Sequence, residues 1–350
     1  MGSPFAVKPA AFSHAGWSAK PRVRISHSDV QMKERGLGWL AVNVLIAADM
    51  EGITGIDDYG DCLPSHPAAY ARGRRLMTDE VLVAIEALRA AGTERISVGD
   101  WHMVGTNIER DRMPAGVEVR PIADLALNET EPSMAKAHGG PLDGMVMLGH
   151  HASTKNPRAF CSHTFIWEME VSLDGVPLSE AHVYAQALAA EGVPVLVASG
   201  DRWMLEEFDQ GEMGGARLVE TKVGEGRAWA HSHDIAGTHA KLAEAIGAAC
   251  AAPPQPPPAR AYPAELRIAV EGEEIARTSV GDPADLLTAI AEVFRTSQVS
   301  REYRQLAKLL PAGHDSRLRA AQRRAGSLLA TPVMRSKERH WLARSPAQAS

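Results

Sequence analysis

Two carboxylates stand two residues apart in Asp49-Met50-Glu51-Gly52, directly after the apolar run Val42 to Ala48. Side chains two apart in an extended chain project to the same side, so Asp49 and Glu51 can face one point in space. A carboxylate pair there suits a divalent metal or general acid/base chemistry, although a lone Asp-x-Glu also fits a solvated or capping pair. The pattern recurs with other metal-binding types. Ile96-Ser97-Val98 leads into Gly99-Asp100-Trp101-His102, and Met145 to Leu148 leads into Gly149-His150-His151. A histidine at a single strand end is commonly structural. Three strand exits carrying Asp/Glu, His and His converge for a geometric reason, because parallel strands of one sheet deliver their exits to a common edge. Glu180, after Ser179, opens a helical pattern running from Ala181 to Ala190. An acid is favoured there by the helix dipole alone, so only its company makes it a ligand.

Two divalent ions about 3.5 to 4 Å apart lower the pKa of a water between them toward roughly 7 and polarise a carbonyl, which is the chemistry of an amide hydrolase. Mixed Asp, Glu and His ligands with no thiolate suit zinc, and also manganese or cobalt. His163 could then stabilise the oxyanion or return a proton to the leaving amine; its plainer reading is a structural histidine in a polar turn. Cys161, two residues before it, offers a rival thiol nucleophile. Catalytic dyads are normally assembled from residues distant in sequence, so a buried, inert Cys161 is preferred. Cys62 and Cys250 have no metal-type spacing, and three cysteines in 350 residues favour a reducing compartment.

The elements that must hold these residues read as alternating strands and helices. A helical pattern runs from Tyr70 to Ala91 and stops at Gly92, and a second from Thr238 to Ala251 is stopped by the prolines that follow Ala252. Such alternation predicts a mainly parallel α/β sheet covered on both faces. The proline cluster marks a boundary: a catalytic α/β domain over 37–252, then a smaller C-terminal α/β subdomain over 259–300 that opens on the strand Glu265 to Val270. Residues 1–36 lack periodicity and are expected to be a disordered extension, with Met32 a second candidate start. Residues 301–350 form a basic tail that includes Arg317, Arg319, Arg323 and Arg324, without an aromatic platform for nucleic acid. A net charge of -6 argues in the same direction. No apolar run spans a bilayer, and Leu37 to Ala48 meets Asp49 where a signal peptide would need small residues. No glycine-rich nucleotide fingerprint follows a strand.

Taken together, the motifs resemble the zinc D-aminopeptidases of the dipeptide-transport-operon type, self-compartmentalising metallopeptidases. The resemblance is carried, over about residues 42 to 300, by Asp49-Met50-Glu51-Gly52-Ile53-Thr54-Gly55, Tyr70 to Glu80, Asp100-Trp101-His102, Leu148 to Ala152, Ser162-His163, Ser179-Glu180 and Val193 to Asp201, in family order. It implies two zinc ions per subunit bridged by Asp49. One would add Glu51 and His151, the other His102 and Glu180, with His163 the catalytic histidine. His150 stands where relatives carry another residue and, by alternation, is expected outside the site. The resemblance further implies a ring-like homo-oligomer, a decamer in the known case, which the C-terminal subdomain helps build; a cytoplasmic location is expected from the cysteine usage.

Trp101, His182 and Tyr184 depart from the family pattern, where smaller residues are usual, and are expected to border the substrate. The function expected is therefore release of an N-terminal, preferably D-, amino acid from short peptides or amino-acid amides. The alternatives are an amidase or aminohydrolase on an unusual small or aryl amide, and a non-catalytic metal-binding scaffold.

Overall fold

The computed structural model describes residues 42–103, 105–121, 134, 138–208 and 212–296. The expected N-terminal extension and basic tail lie outside these residues. A seven-stranded sheet is built from β1 (Asn43–Ala48), β2 (Arg95–Asp100), β3 (Glu118–Pro121), β4 (Gly144–His150), β7 (Val195–Asp201), β8 (Arg217–Gly224) and β9 (Ala230–Ser232). Its order is β3-β2-β1-β4-β7-β8-β9. Every pairing is parallel except the edge strand β9, which runs against β8. The order reverses between β1 and β4, each of which starts a half that winds outward. A crevice opens beyond the carboxyl ends at such a switch point.

Alternation in β1 assigns its side chains to two layers. Val44, Ile46 and Ala48 enter a core with helices α1 (Pro67–Ala90) and α4 (Ile235–Ala251), on one face of the sheet. Leu45 and Ala47 enter the opposite core with α2 (Glu180–Glu191). Burial on both faces explains why β1, β4 and β7 read as continuous apolar runs. A short helix α3 (Arg202–Glu207) follows β7, its first turn capped by Asp201.

The second sheet is antiparallel, in the order β11-β10-β5-β6, from β5 (Met169–Leu173), β6 (Val176–Leu178), β10 (Ala264–Val270) and β11 (Glu273–Val280). It is not made by the C-terminal segment alone. The hairpin β5–β6, inserted between β4 and α2, supplies two strands, and Ile268 pairs with Val171. Alternating burial in β5 is a weak signal over five residues, and pairing across ninety residues of chain has no local signature. Helix α5 (Pro283–Thr296) packs on α2 and β11. Among the described residues no helix is long and apolar enough to cross a membrane.

Candidate metal centre

Asp49 is the first residue beyond β1, and its backbone N–H donates to Leu148 O of β4 at 2.8 Å. The next turn is stitched to the same strand by Gly52 N–H to Gly149 O, 2.7 Å. Glycine is required at 149: φ is +69°, and a Cβ would stand 2.6 Å from Asp49 O. Asp49 and Glu51 are thus held against the exit of β4, which carries the two histidines, while β2 delivers Trp101 N–H to Ala48 O at 2.9 Å and brings His102 alongside.

All six predicted residues meet there. His102 Nδ1 lies 3.1 Å from Glu51 Oε2 and 3.4 Å from Asp49 Oδ1. His151 Nε2 lies 3.3 Å from Asp49 Oδ2 and 3.5 Å from Glu180 Oε1, and His163 Nε2 lies 3.9 Å from the same Glu180 oxygen. Three groups of donor atoms each lie within 4.8 Å of one another: Asp49, Glu51 and His102; Asp49, His151 and Glu180; and Glu51, His151 and His163. Asp49 is common to the first two, although Glu51 and Glu180 fall with the other histidine from the pairing that the resemblance implied. The imidazoles of His151 and His163 stack at 4.0 Å and 11°.

The donor chemistry fits zinc. In each histidine one nitrogen donates to a backbone carbonyl and the other turns a lone pair inward. His102 Nε2–H bonds Cys62 O at 2.8 Å, His151 Nδ1–H bonds Ala152 O at 3.0 Å, and His163 Nδ1–H bonds Cys161 O at 2.7 Å. That outer hydrogen bond is the usual way a protein fixes the tautomer of a ligating histidine. Inward lone pairs facing three buried carboxylates need cations between them, since desolvation costs roughly several kcal/mol for each buried charge. Without metal, protons fill that role. Burial alone would push Asp49 up, yet its hydrogen bonds to His102 and His151 hold it well below the usual carboxylate range. Burial would lower His102 and His151; the carboxylates around them raise both well above 6.5. His163 goes the other way, lowered by burial and by the neighbouring His151, so it is a neutral imidazole at neutral pH.

A surrounding layer fixes the ligands. Glu180 accepts from Phe165 N–H at 2.6 Å and from Tyr184 O–H at 3.2 Å. Asp100 receives Asn107 N–H, Asn107 Nδ2–H and Ile108 N–H at 2.6, 2.7 and 2.9 Å, and Asn107 also donates to His102 O at 2.6 Å. The loop carrying His102 is therefore folded around one buried carboxylate. Sequence reading missed this clamp, because an Asn five residues after a histidine carries no signature of its own. It also missed Lys222, toward the carboxyl end of β8.

His150 belongs to none of the three donor groups: its Nε2 faces Ala47 O at 3.2 Å, its ring lies against Trp101 and Tyr184, and its Nδ1 is 3.9 Å from Asp49 Oδ2. The expectations for three bulky residues are corrected. Trp101 and Tyr184 do not line open space. They pack on each other at 4.5 Å, 3% and 1% exposed, with Trp101 folded back under Gly99. His182 caps α2, accepting from Ser179 N–H at 3.1 Å through Nδ1. The thiols of Cys62 and Cys161 are both buried and pushed up by burial, the opposite of an activated nucleophile.

A D-aminopeptidase from Bacillus subtilis (strain 168) is 28% identical over 171 residues, which cover 48% of this chain and 60% of that protein. The solved structure described as the Zn-dependent D-aminopeptidase DppA from Bacillus subtilis, a self-compartmentalizing protease, shares the fold with a TM-score of 0.59 at 19% identity. That match covers 73% of this chain and 99% of the other. The model of the D-aminopeptidase family, peptidase M55, matches residues 42–306, and the chain belongs to that family.

Proposed function

We propose that the chain is a zinc-dependent aminopeptidase that releases the N-terminal residue, preferably of D configuration, from short peptides or amino-acid amides. The observation that carries this reading is the shared placement of Asp49 between the donor group of Glu51 and His102 and that of His151 and Glu180. Five residues, Asp49, Glu51, His102, His151 and Glu180, would hold two ions, and bound zinc supplies Lewis acidity and an activated water. Manganese or cobalt could serve the same donor set.

His163 is assigned to the proton. Its Nδ1–H is committed to Cys161 O, so Nε2 is the free position; it is turned toward Glu180 and 13% exposed, the most open side chain of the site. A neutral imidazole so placed accepts a proton from the attacking water and returns it to the leaving amine. Glu180, oriented by Phe165 and Tyr184, keeps the carboxylate side of the site fixed while that proton moves. The aryl-amide alternative rested on bulk at Trp101, His182 and Tyr184. With those side chains buried or capping a helix, peptides and amino-acid amides remain the substrate class proposed. Assembly into a cytoplasmic homo-oligomer belongs to the same reading, supported by the self-compartmentalizing description of the Bacillus structure.

The test is a panel of D- and L-aminoacyl amides, dipeptides and aryl amides, assayed with zinc-loaded protein beside metal analysis. Turnover of D-aminoacyl substrates with two zinc ions bound is expected. Metal binding without turnover of any amide would replace the enzyme with the non-catalytic scaffold.

A further inference from the structure

Lys222 is fully buried toward the carboxyl end of β8, which is separated from β1 by β4 and β7 in the sheet order. A lysine is rarely buried without a paired acid. Here its nitrogen points at backbone: it donates to Glu51 O at 2.7 Å and to Ile56 O, with the Phe160 ring 5.0 Å away. Its neighbour Thr221, also fully buried, donates to Gly52 O at 2.6 Å. Two consecutive residues of one strand thus hold three carbonyls of the turn that carries Glu51. The parallel sheet explains the reach, since β8 runs alongside β7 and its later residues extend past the carboxyl edge where that turn lies.

Those carbonyls belong to the exit of β1, a turn also tethered by the backbone bonds to β4 already described and, further along, by Thr54 N–H to Glu80 Oε2 at 2.9 Å and Gly55 N–H to Ser232 Oγ at 2.7 Å. Bonds to β4 fix Asp49 and Gly52. The carbonyl of Glu51 itself is held by Lys222, and the orientation of that peptide sets where the Glu51 carboxylate points.

We propose that Lys222 is a positioning residue for the metal centre, which tethers the Glu51 peptide so that Glu51 and His102 are preset to receive an ion. Thr221 is its partner on the next peptide. The inference rests on the metal-centre reading above and extends it to residues that make no contact with an ion. Groups that orient ligands typically change metal affinity by about 10- to 100-fold when removed. That loss is expected at one position of the two, since the Asp49, His151 and Glu180 group receives no bond from β8.

Cobalt titration followed by the visible absorption of the bound ion tests this in full-length protein, with circular dichroism to verify folding. Wild type should bind two equivalents. Lys222→Met, matched in length but unable to donate, should keep one equivalent at wild-type affinity and bind the second about 10- to 100-fold more weakly, with an altered spectrum for that ion. A purely structural lysine would lower the melting temperature and leave both equivalents unchanged, which would overturn the proposal. Should Lys222→Met fail to fold, Thr221→Val supplies the measurement: weakening of the same single position supports the tether, and unchanged binding refutes it. Wild type binding a single equivalent would also overturn it. Two equivalents bound by a protein that cleaves no amide would sink the proposed activity and leave the tether standing.

Discussion

At the scale of the residue, ligation and proton transfer are assigned to different side chains, and substitutions should separate them. Asp49 belongs to two of the three donor groups, so Asp49→Ala should lose both ions and all turnover, measured by metal analysis and amide hydrolysis. His163→Ala should keep fold and metal while turnover falls about a hundredfold to ten-thousandfold, the range for a general acid/base. Parallel loss of metal would instead make His163 a ligand of the third group, with Glu51 and His151. The identities of these residues were legible because carboxylate and imidazole at strand exits are few and chemically distinctive. What was not legible was orientation. Trp101 and Tyr184 were expected at the substrate, yet bulk next to a ligand in sequence can just as well point into the core, as it does beneath Gly99.

Elements position the site through close backbone contact between the exits of β1 and β4, and that contact can be tested. Gly149→Ala must place a Cβ 2.6 Å from Asp49 O with φ at +69°, so both the strain of a left-handed alanine, about 1 to 2 kcal/mol, and displacement of Asp49 follow. Gly92→Ala is the control: φ is +90° at the end of α1, but nothing lies within 4 Å of the added atom. Urea denaturation should show losses in both variants, and only Gly149→Ala should also weaken metal binding. Equal metal affinity in the two would mean that the approach of the two strands does not set the site. The strands β1, β2, β4 and β7 and the helices α1 and α4 could be read in the sequence, since apolar runs and helical periodicity are local signals ended by Gly and Pro. The sharing of the second sheet between a mid-chain hairpin and the C-terminal strands could not, because nothing in β5 or β6 names a partner some ninety residues away.

Across the whole molecule, the buried charge cluster links fold stability, metal and pH. In the metal-free protein His102 and His151 have their pKa raised, so the stability they contribute is complete below the unfolded histidine value near 6.5 and is lost as pH rises through their folded values. Asp49 and Glu180 are lowered, the first against burial by its histidine partners and the second against burial by His151. Their contribution is present above the unfolded carboxylate values and is lost as pH falls through the folded ones. The metal-free fold therefore depends at neutral pH on protons that its histidines hold, and gives up that support on the alkaline side. On the proposed reading zinc would replace those protons, and its binding would be favoured as they leave. The rise in melting temperature on adding zinc should accordingly grow as pH rises above 6.5, with the metal-free protein losing stability as its raised histidines give up their protons while the loaded protein changes little. Thermal melts at several pH values, with and without zinc, measure this directly. A zinc-induced shift that stays constant as pH rises would show that no proton is displaced, and that the ions sit somewhere other than among Asp49, His102 and His151.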